Sequence, residues 1–148
     1  GYTAFSPITL RNKMLGEHEK DNGQHSQPQE TASLHGAAMM VRRDVLQQVG
    51  PMTEVYFLFY EEFDWSARMH HLGYKLWYEP AAAVYHKESM TAKRGMPQRE
   101  FYLSRARMIY ARRNLLGIER FLSCMYILSI AAPKKAVTYL LLSGKSSL

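Results

Sequence analysis

The sequence predicts an α/β fold that continues into an α-helical tail, and three observations lead to this prediction. Three short runs have the length and apolar pattern of strands, at residues 36–41, 74–79 and 81–86. Two further runs have helical periodicity and end at a glycine, at residues 42–50 and 60–73. From residue 97 onward the pattern favours helices alone. Strands and helices that alternate in this way are typical of an α/β domain.

Charged residues in the first two predicted helices suit the positions they occupy. Asp44 lies early in the helix at 42–50. The helix at 60–73 begins with three acids and ends with two histidines, which favours its dipole. Asp64 and Arg68 stand four residues apart and can pair on the surface of that helix.

The tail is predicted to hold three helices, at residues 97–117, 118–132 and 134–144, with Pro133 ending the second. Charge divides at the same region of the chain. Residues 1–92 hold 8 Lys and Arg against 11 Asp and Glu, whereas residues 93–148 hold 11 against 2. We therefore expect a mobile polar loop segment at 1–35, a part that carries the chemistry at 36–95, and a basic amphipathic helical tail at 96–148.

Length and cysteine content limit the class of protein. At 148 residues the chain suits one domain or a piece of a larger one, and its start at Gly1 leads us to expect processing or truncation. A single cysteine, Cys124, rules out an internal disulfide framework and a cysteine metal site. With no signal peptide pattern and no 18-residue apolar run, we expect a reducing cytoplasmic location.

The acids of "YEEFDW" and the histidine that closes "AAAVYH" are the candidate functional groups. Acids in a first helical turn can simply stabilise the dipole, and a lone histidine is commonly a hydrogen-bonded core or edge residue. Alternatively, a carboxyl beside another carboxylate can have a raised pKa and act as a general base near neutral pH. His86 can then bind a metal together with acids from elsewhere. The spacing alone leaves both interpretations open.

The stretch from Gly36 to His86 resembles the second half of the catalytic domain of inverting family-2 glycosyltransferases, which have the GT-A fold. The chain supplies "GAAMMVRRDVLQQVG", "YFLFYEEFDWSARMHHLGYKLWYEP" and "AVYHKES" in the family's order. The later "FYLSRARMIYARRN" is similar to the family's Tyr-x-x-x-Arg-Asn helix. The resemblance implies a partial GT-A-like fold, with residues 36–95 as the acceptor-side part of the catalytic domain.

The resemblance also implies roles for the residues of the predicted second helix. Glu62 matches the general base that takes the proton from the acceptor hydroxyl, although the family usually has Asp there. Glu61 and Asp64 match the flanking acids that orient the acceptor and brace the helix. Trp65 and Arg68 match positions beside the acceptor pocket and in a supporting ion pair.

A divalent metal and a nucleotide sugar complete the implied reaction. His86 matches a histidine that helps to bind Mg²⁺ or Mn²⁺ on the donor diphosphate. The family pattern also has Asp where this chain has Thr53, and often Asn where it has Ala106. The chain contains no Asp-x-Asp motif and no glycine-rich phosphate loop. The resemblance therefore implies that the nucleotide-binding half is absent from this chain, which alone is expected to be inactive.

The basic tail has several possible partners. Its cations are candidates for contact with an anionic surface, namely Arg105, Arg107, Arg112, Arg113, Arg120, Lys134 and Lys135. Helices of this kind commonly pack on their own domain or form a homo-oligomer. They can also lie on the inner face of a membrane, where a saccharide or lipid-linked acceptor for polysaccharide or cell-envelope synthesis would be found. A non-catalytic module that binds nucleic acid or a membrane, and an inactive sugar-binding relative, are the alternatives; nucleic acid is disfavoured because no known module is present.

Overall fold

The computed structural model describes residues 1–86 and 96–143, and in this part the chain consists of helices and one small sheet. The elements, in order, are β1 (Gln29–Glu30), α1 (Arg43–Val49), a 3-10 turn (Glu54–Tyr56), α2 (Glu61–His71), β2 (Trp77–Tyr78), α3 (Pro97–Asn114), α4 (Gly117–Tyr126), a π-helical segment (Ile127–Ala131) and α5 (Ala132–Ser143). The mixture of helix and strand agrees with the predicted class at this coarse level.

The described residues divide into two compact units. The first, unit 1, comprises residues 1–5, 11–55 and 61–86, and the second, unit 2, comprises residues 6–10, 56–60 and 96–143. Unit 1 contains the small sheet with α1 and α2, and unit 2 contains the three tail helices.

The sheet of unit 1 is antiparallel, with Gln29 opposite Tyr78 and Glu30 opposite Trp77. The predicted strand at 74–79 is thus confirmed over two residues. The predicted strands at 36–41 and 81–86 are wrong, because neither run pairs with a neighbour in the described part of the chain. The first run folds into a turn and then contributes Met39 and Val41 to side-chain packing instead of to a ladder. The second run, residues 81–86, is exposed and buries little apolar surface.

The core of unit 1 lies between α1 and α2. Its buried members are Val45, Val49, Trp65, Met69 and Leu76. Both helices were predicted, and their apolar residues are spaced so that one side of each faces the other. The end of α1 follows the predicted signal: Gly50 has a φ of 75°, and its N–H donates to the Leu46 carbonyl at 2.9 Å.

The segment before α2 is held in an unusual backbone conformation. Phe57, Phe59 and Tyr60 have φ values of 66°, 67° and 72°, a region that costs non-glycine residues about 1–2 kcal/mol each. Contacts within unit 2 hold the segment in place. The Tyr60 hydroxyl donates to the Leu10 carbonyl at 2.8 Å, and the Tyr60 ring lies 5.6 Å from that of Tyr110. The strained residues end where the candidate site begins, at Glu61.

In unit 2 the prediction that Pro133 ends a helix is wrong. The chain stays helical from Gly117 to Ser143, and the π-helical segment Ile127–Ala131 ends two residues before the proline. Pro133 has no N–H, and its ring would clash with the carbonyl four residues back in a regular α-helix. A wider π turn at that point displaces the carbonyl and lets the helix continue. The other predicted boundary also shifts, since α3 ends at Asn114 and Gly117 begins α4.

Candidate functional site

The three acids at the start of α2 lie in different surroundings. Asp64 is 1% exposed, whereas Glu61 and Glu62 are half-buried. Successive residues of a helix point to different sides. The three acids that are close together in the sequence therefore separate: Asp64 turns toward the core, and Glu61 and Glu62 lie nearer the surface. The site is therefore built from Glu61 and Glu62, with Asp64 beneath them.

Asp64 supports the site through its ion pair with Arg68. The Arg68 Nε lies 3.5 Å from the Asp64 carboxylate, which confirms the predicted pair but places its acid in the interior and not on the surface. The same guanidinium donates to the carbonyls of Val49 and Pro51 at 2.9 and 2.6 Å. A buried carboxylate needs a charged partner of this kind, so the pair fastens α2 to the end of α1.

Trp65 and Ser66 fasten the same helix on two further sides. The Trp65 indole N–H donates to the Gly50 carbonyl at 2.8 Å, and its ring lies in the core of unit 1. The Ser66 hydroxyl donates to the Glu62 carbonyl at 2.7 Å and accepts the Leu34 N–H at 3.1 Å. Trp65 and Arg68 thus act within the fold, where they hold the first turn of α2 still.

Glu62 lies against the loop that carries Gly36. A Cβ built on Gly36 would stand 3.8 Å from the Glu62 Cδ, which is ordinary van der Waals contact, so the space between this backbone and the carboxyl group is about the size of one methyl group. Burial is the main reason that the pKa of Glu62 is raised from 4.5 to about 7, and the neighbouring Glu61 adds to the effect. A carboxyl group with this pKa can take up or release a proton near neutral pH.

Glu61 supplies a second, unsatisfied group. Its Oε2 atom is buried and has no hydrogen-bond partner among the described residues. A buried carboxylate oxygen without a partner is costly, and such atoms are commonly satisfied by a ligand. A ligand with two hydroxyl groups would give this oxygen a donor through one of them and bring the proton of the other to Glu62.

His86 is exposed and lies beside a residue that the sequence did not single out. Its ring stands 6.1 Å from that of His35, which in turn stacks on Tyr2 at 5.9 Å. His35 directly precedes Gly36, so the structure brings His86 and Glu62 to the same loop. Tyr2 also meets Phe63 edge-on at 5.2 Å. The result is an aromatic border next to the acids.

The described residues do not form a complete metal site by themselves. Outside residues 87–95 and 144–148, no three His, Cys, Asp or Glu side chains lie close enough together to hold one. His86 and His35 supply two imidazoles at most, and a divalent cation on a diphosphate prefers oxygen ligands.

The predicted anion-binding cations of the tail have varied surroundings within unit 2. Arg105 donates to the Tyr56 carbonyl at 2.9 Å, and Arg107 donates to the Thr9 carbonyl. Lys135 pairs with Glu100 at 2.9 Å. The remaining predicted cations are exposed, namely Arg112, Arg113, Arg120 and Lys134.

Unit 1 also contains an open cavity of about 370 Å³, and none of these acids lines it. Its walls come from residues 15–26 together with Tyr78 and Pro80. Sequence analysis missed both this cavity and the parts played by Gly36 and His35. A polar loop has no periodicity that reveals which of its residues will return to the site.

Comparisons with protein-family models, with curated proteins and with solved structures found no match to this chain. Among the described residues, no helix combines the length and the apolar character needed to cross a bilayer.

Proposed function

We propose that this chain forms the acceptor side of an inverting glycosyltransferase of the GT-A group, in which Glu62 is the general base. The reaction would transfer a sugar from a nucleotide-sugar donor to a hydroxyl group of a saccharide or lipid-linked acceptor. The fold assignment and the activity both rest on the resemblance of residues 36–86 and on the surroundings of Glu62.

The observation that supports the proposal best is the contrast between Glu62 and its neighbours. Asp64, two residues later, is fixed by Arg68, whereas the carboxyl groups of Glu61 and Glu62 have no ion pair in the described structure. The Glu62 carboxyl lies beside the Gly36 backbone, and its burial raises its pKa to about 7. Three contacts hold α2 in place, and its first turn carries two acids without an ion pair. This arrangement suits a ligand that donates hydrogen bonds.

The proposed reaction is a single displacement. The acceptor oxygen forms a bond to the anomeric carbon while its proton passes to the Glu62 carboxylate. The bond from the anomeric carbon to the phosphate oxygen breaks, and its electron pair leaves with the nucleoside diphosphate. Attack and departure on opposite faces invert the anomeric centre. Glu61 would hold the acceptor through its free Oε2 atom.

The donor side is proposed to lie outside this chain. The sequence has three Asp residues, at positions 21, 44 and 64, and none forms an Asp-x-Asp pair. A nucleotide-binding half would supply the base pocket and the oxygen ligands of Mg²⁺ or Mn²⁺, with His86 at its edge. When bound, such a metal would neutralise charge on the leaving diphosphate.

The test uses the longest natural polypeptide that contains this chain. A panel of nucleotide sugars is screened for thermal stabilisation with Mn²⁺, and turnover is then measured as release of nucleoside diphosphate. Glu62→Gln should lower turnover by about 10²–10⁴-fold, because the proton acceptor is lost. Donor binding should be unchanged, since the substitution keeps the shape of the side chain.

A matched control is Glu54→Gln, which replaces an exposed acid of the same unit. Turnover of that variant should equal that of the wild type. Near-normal turnover of Glu62→Gln would remove Glu62 from the mechanism. Binding of a saccharide without turnover in the wild-type protein would instead favour a non-catalytic sugar-binding protein, and salt-sensitive binding to generic nucleic acid would favour a nucleic-acid module.

A further inference from the structure

Helix α4 and the π-helical segment that follows it turn an apolar side outward. Large hydrophobic residues recur every three or four positions and are 41–67% exposed, namely Ile118, Phe121, Leu122, Met125 and Leu128. We call these five residues the apolar stripe. The residues buried on the other side are Ser123 at 0% and Ile127 at 2% exposure. An amphipathic helix that served only its own domain would bury the apolar side.

The apolar surface continues beyond the stripe. Further exposed hydrophobic residues precede and follow it along the helical tail, namely Leu116, Ile130, Val137 and Leu140. Single exposed hydrophobics are ordinary, but monomeric proteins rarely expose a continuous row of them. Residues three and four apart are neighbours on a helix, so the stripe is such a row.

The helical tail that carries the stripe has a net positive charge. Residues 96–143 contain 8 Lys and Arg and 2 Asp and Glu, a balance of 8 − 2 = +6. One of the two acids, Glu100, is already paired with Lys135 and Arg99. Arg120 directly precedes Phe121 in α4, and Lys134 lies early in α5; both are exposed. A partner that is both apolar and negatively charged would complement these two features of the tail.

An anionic lipid surface meets both requirements. Apolar side chains of an interfacial helix enter the boundary between headgroups and acyl chains, while its cations contact lipid phosphates. A nucleic acid would satisfy the charge but leave the stripe in water. A second copy of the tail would cover the stripe but bring two positive surfaces together, which is unfavourable.

We propose that the apolar stripe, with Arg120 and Lys134, docks this chain in the plane of an anionic membrane surface. The inference rests on unit 2 alone and does not depend on the assignment of Glu62. It predicts binding that needs both hydrophobic and electrostatic contact.

The experiment is flotation of the full chain with vesicles of phosphatidylcholine that contain a minor fraction of phosphatidylglycerol. We expect binding at low salt, and little binding to pure phosphatidylcholine. The double variant Phe121→Ser, Leu128→Ser should bind at least about tenfold more weakly, because each side chain loses its apolar burial. The variant Arg120→Gln, Lys134→Gln should also bind about tenfold or more weakly. The control Leu72→Ser, an equally exposed residue of unit 1, should bind as the wild type does.

A second measurement reports insertion directly. The single cysteine allows a Cys124→Ser, Met125→Cys variant to be labelled with an environment-sensitive fluorophore. Its emission should shift to the blue on anionic vesicles. The emission of the same label on a Cys124→Ser, Leu72→Cys variant should not change.

Three results would overturn the proposal. The first is failure of the wild-type chain to float with anionic vesicles at low salt. The second is a dimer, in the absence of lipid, that the stripe variant dissociates. The third is binding to duplex or single-stranded nucleic acid in preference to vesicles, with no effect of the stripe variant.

Discussion

Gly36 lies beside Glu62 within unit 1, at a distance where a Cβ on Gly36 would be 3.8 Å from the Glu62 carboxyl carbon, in van der Waals contact. The backbone at Gly36 does not have the left-handed φ that favours glycine, so alanine is compatible with it. The contact connects the loop after His35 to the first turn of α2. It offers a way to change the surroundings of Glu62 without changing Glu62.

Gly36→Ala should raise the pKa of Glu62 further above about 7. The added methyl group would exclude water from one side of the carboxyl, and loss of water disfavours the charged form. The measurement is a carbon NMR titration of the glutamate side chains, which needs no activity. The control is Ala37→Val, which changes the exposed residue next to Gly36 in the same turn. Gly23→Ala is less useful, because the φ of Gly23 is 81° and alanine is strained there. An unchanged or lower Glu62 pKa in Gly36→Ala would contradict desolvation as the cause.

Glu62→Gln should stabilise the fold at high pH relative to the wild type. Because the pKa of Glu62 is raised from 4.5 to about 7, the folded chain binds more protons than the unfolded chain between these values. Wild-type stability therefore falls as the pH rises through this window, and the loss is complete above it. Gln carries no charge, so the variant should gain up to about 3 kcal/mol relative to the wild type, an upper value because Glu62 is only half-buried.

Urea unfolding at about pH 4.5 and about pH 8 measures this gain. The difference in unfolding free energy between Glu62→Gln and the wild type should grow with pH. Glu54→Gln replaces an exposed acid and should show no such growth. A gain that is constant across pH would mean that the Glu62 carboxyl is not desolvated in the folded chain.

Arg68→Met should destabilise unit 1 by about 3 kcal/mol, because it leaves the Asp64 carboxylate buried without its cation. It also removes the two bonds to the carbonyls of Val49 and Pro51. The matched control is the exposed pair of Arg42 and Asp44, where Arg42→Met should have little effect because water solvates both groups. The measurement is the urea midpoint of each variant, and equal effects at the two sites would contradict the bracing role.

The sequence predicted the helices of unit 1 well because their signals are local. Apolar spacing and the Gly50 stop are sufficient to place α1, and acids followed by histidines place α2. It overestimated the strands, because an apolar run becomes a strand only where a partner lies beside it. At 29–30 and 77–78 the partners are nearly fifty residues apart, and a polar loop gives no sign of such a pairing.

The candidate site was predicted in composition but not in arrangement. "YEEFDW" names three acids, yet only the fold shows that Asp64 turns inward and Glu62 faces Gly36. The prediction that Pro133 ends a helix was wrong for a related reason. A proline predicts a break in an α-helix, and the π turn that accommodates it has no sequence signature of its own.

Backbone strain before the site gives a final prediction. Phe57 has a φ of 66° and is 75% exposed, so its side chain contributes little burial to offset the conformation. Phe57→Gly and Phe57→Ala both remove the ring that lies 5.0 Å from Tyr102, which cancels that loss from the comparison. Glycine adopts this φ freely and alanine does not. Phe57→Gly should therefore be more stable than Phe57→Ala by about 1 kcal/mol, the reverse of the order found at ordinary positions.

Urea unfolding of the two variants tests this order. Val55 provides the control pair, since it is half-exposed and lies in the 3-10 turn without a positive φ. There the alanine variant should be the more stable, because glycine gains conformational freedom in the unfolded chain. If alanine were also favoured at Phe57, the left-handed backbone would carry no strain, and the segment before Glu61 would be held by its side-chain contacts alone.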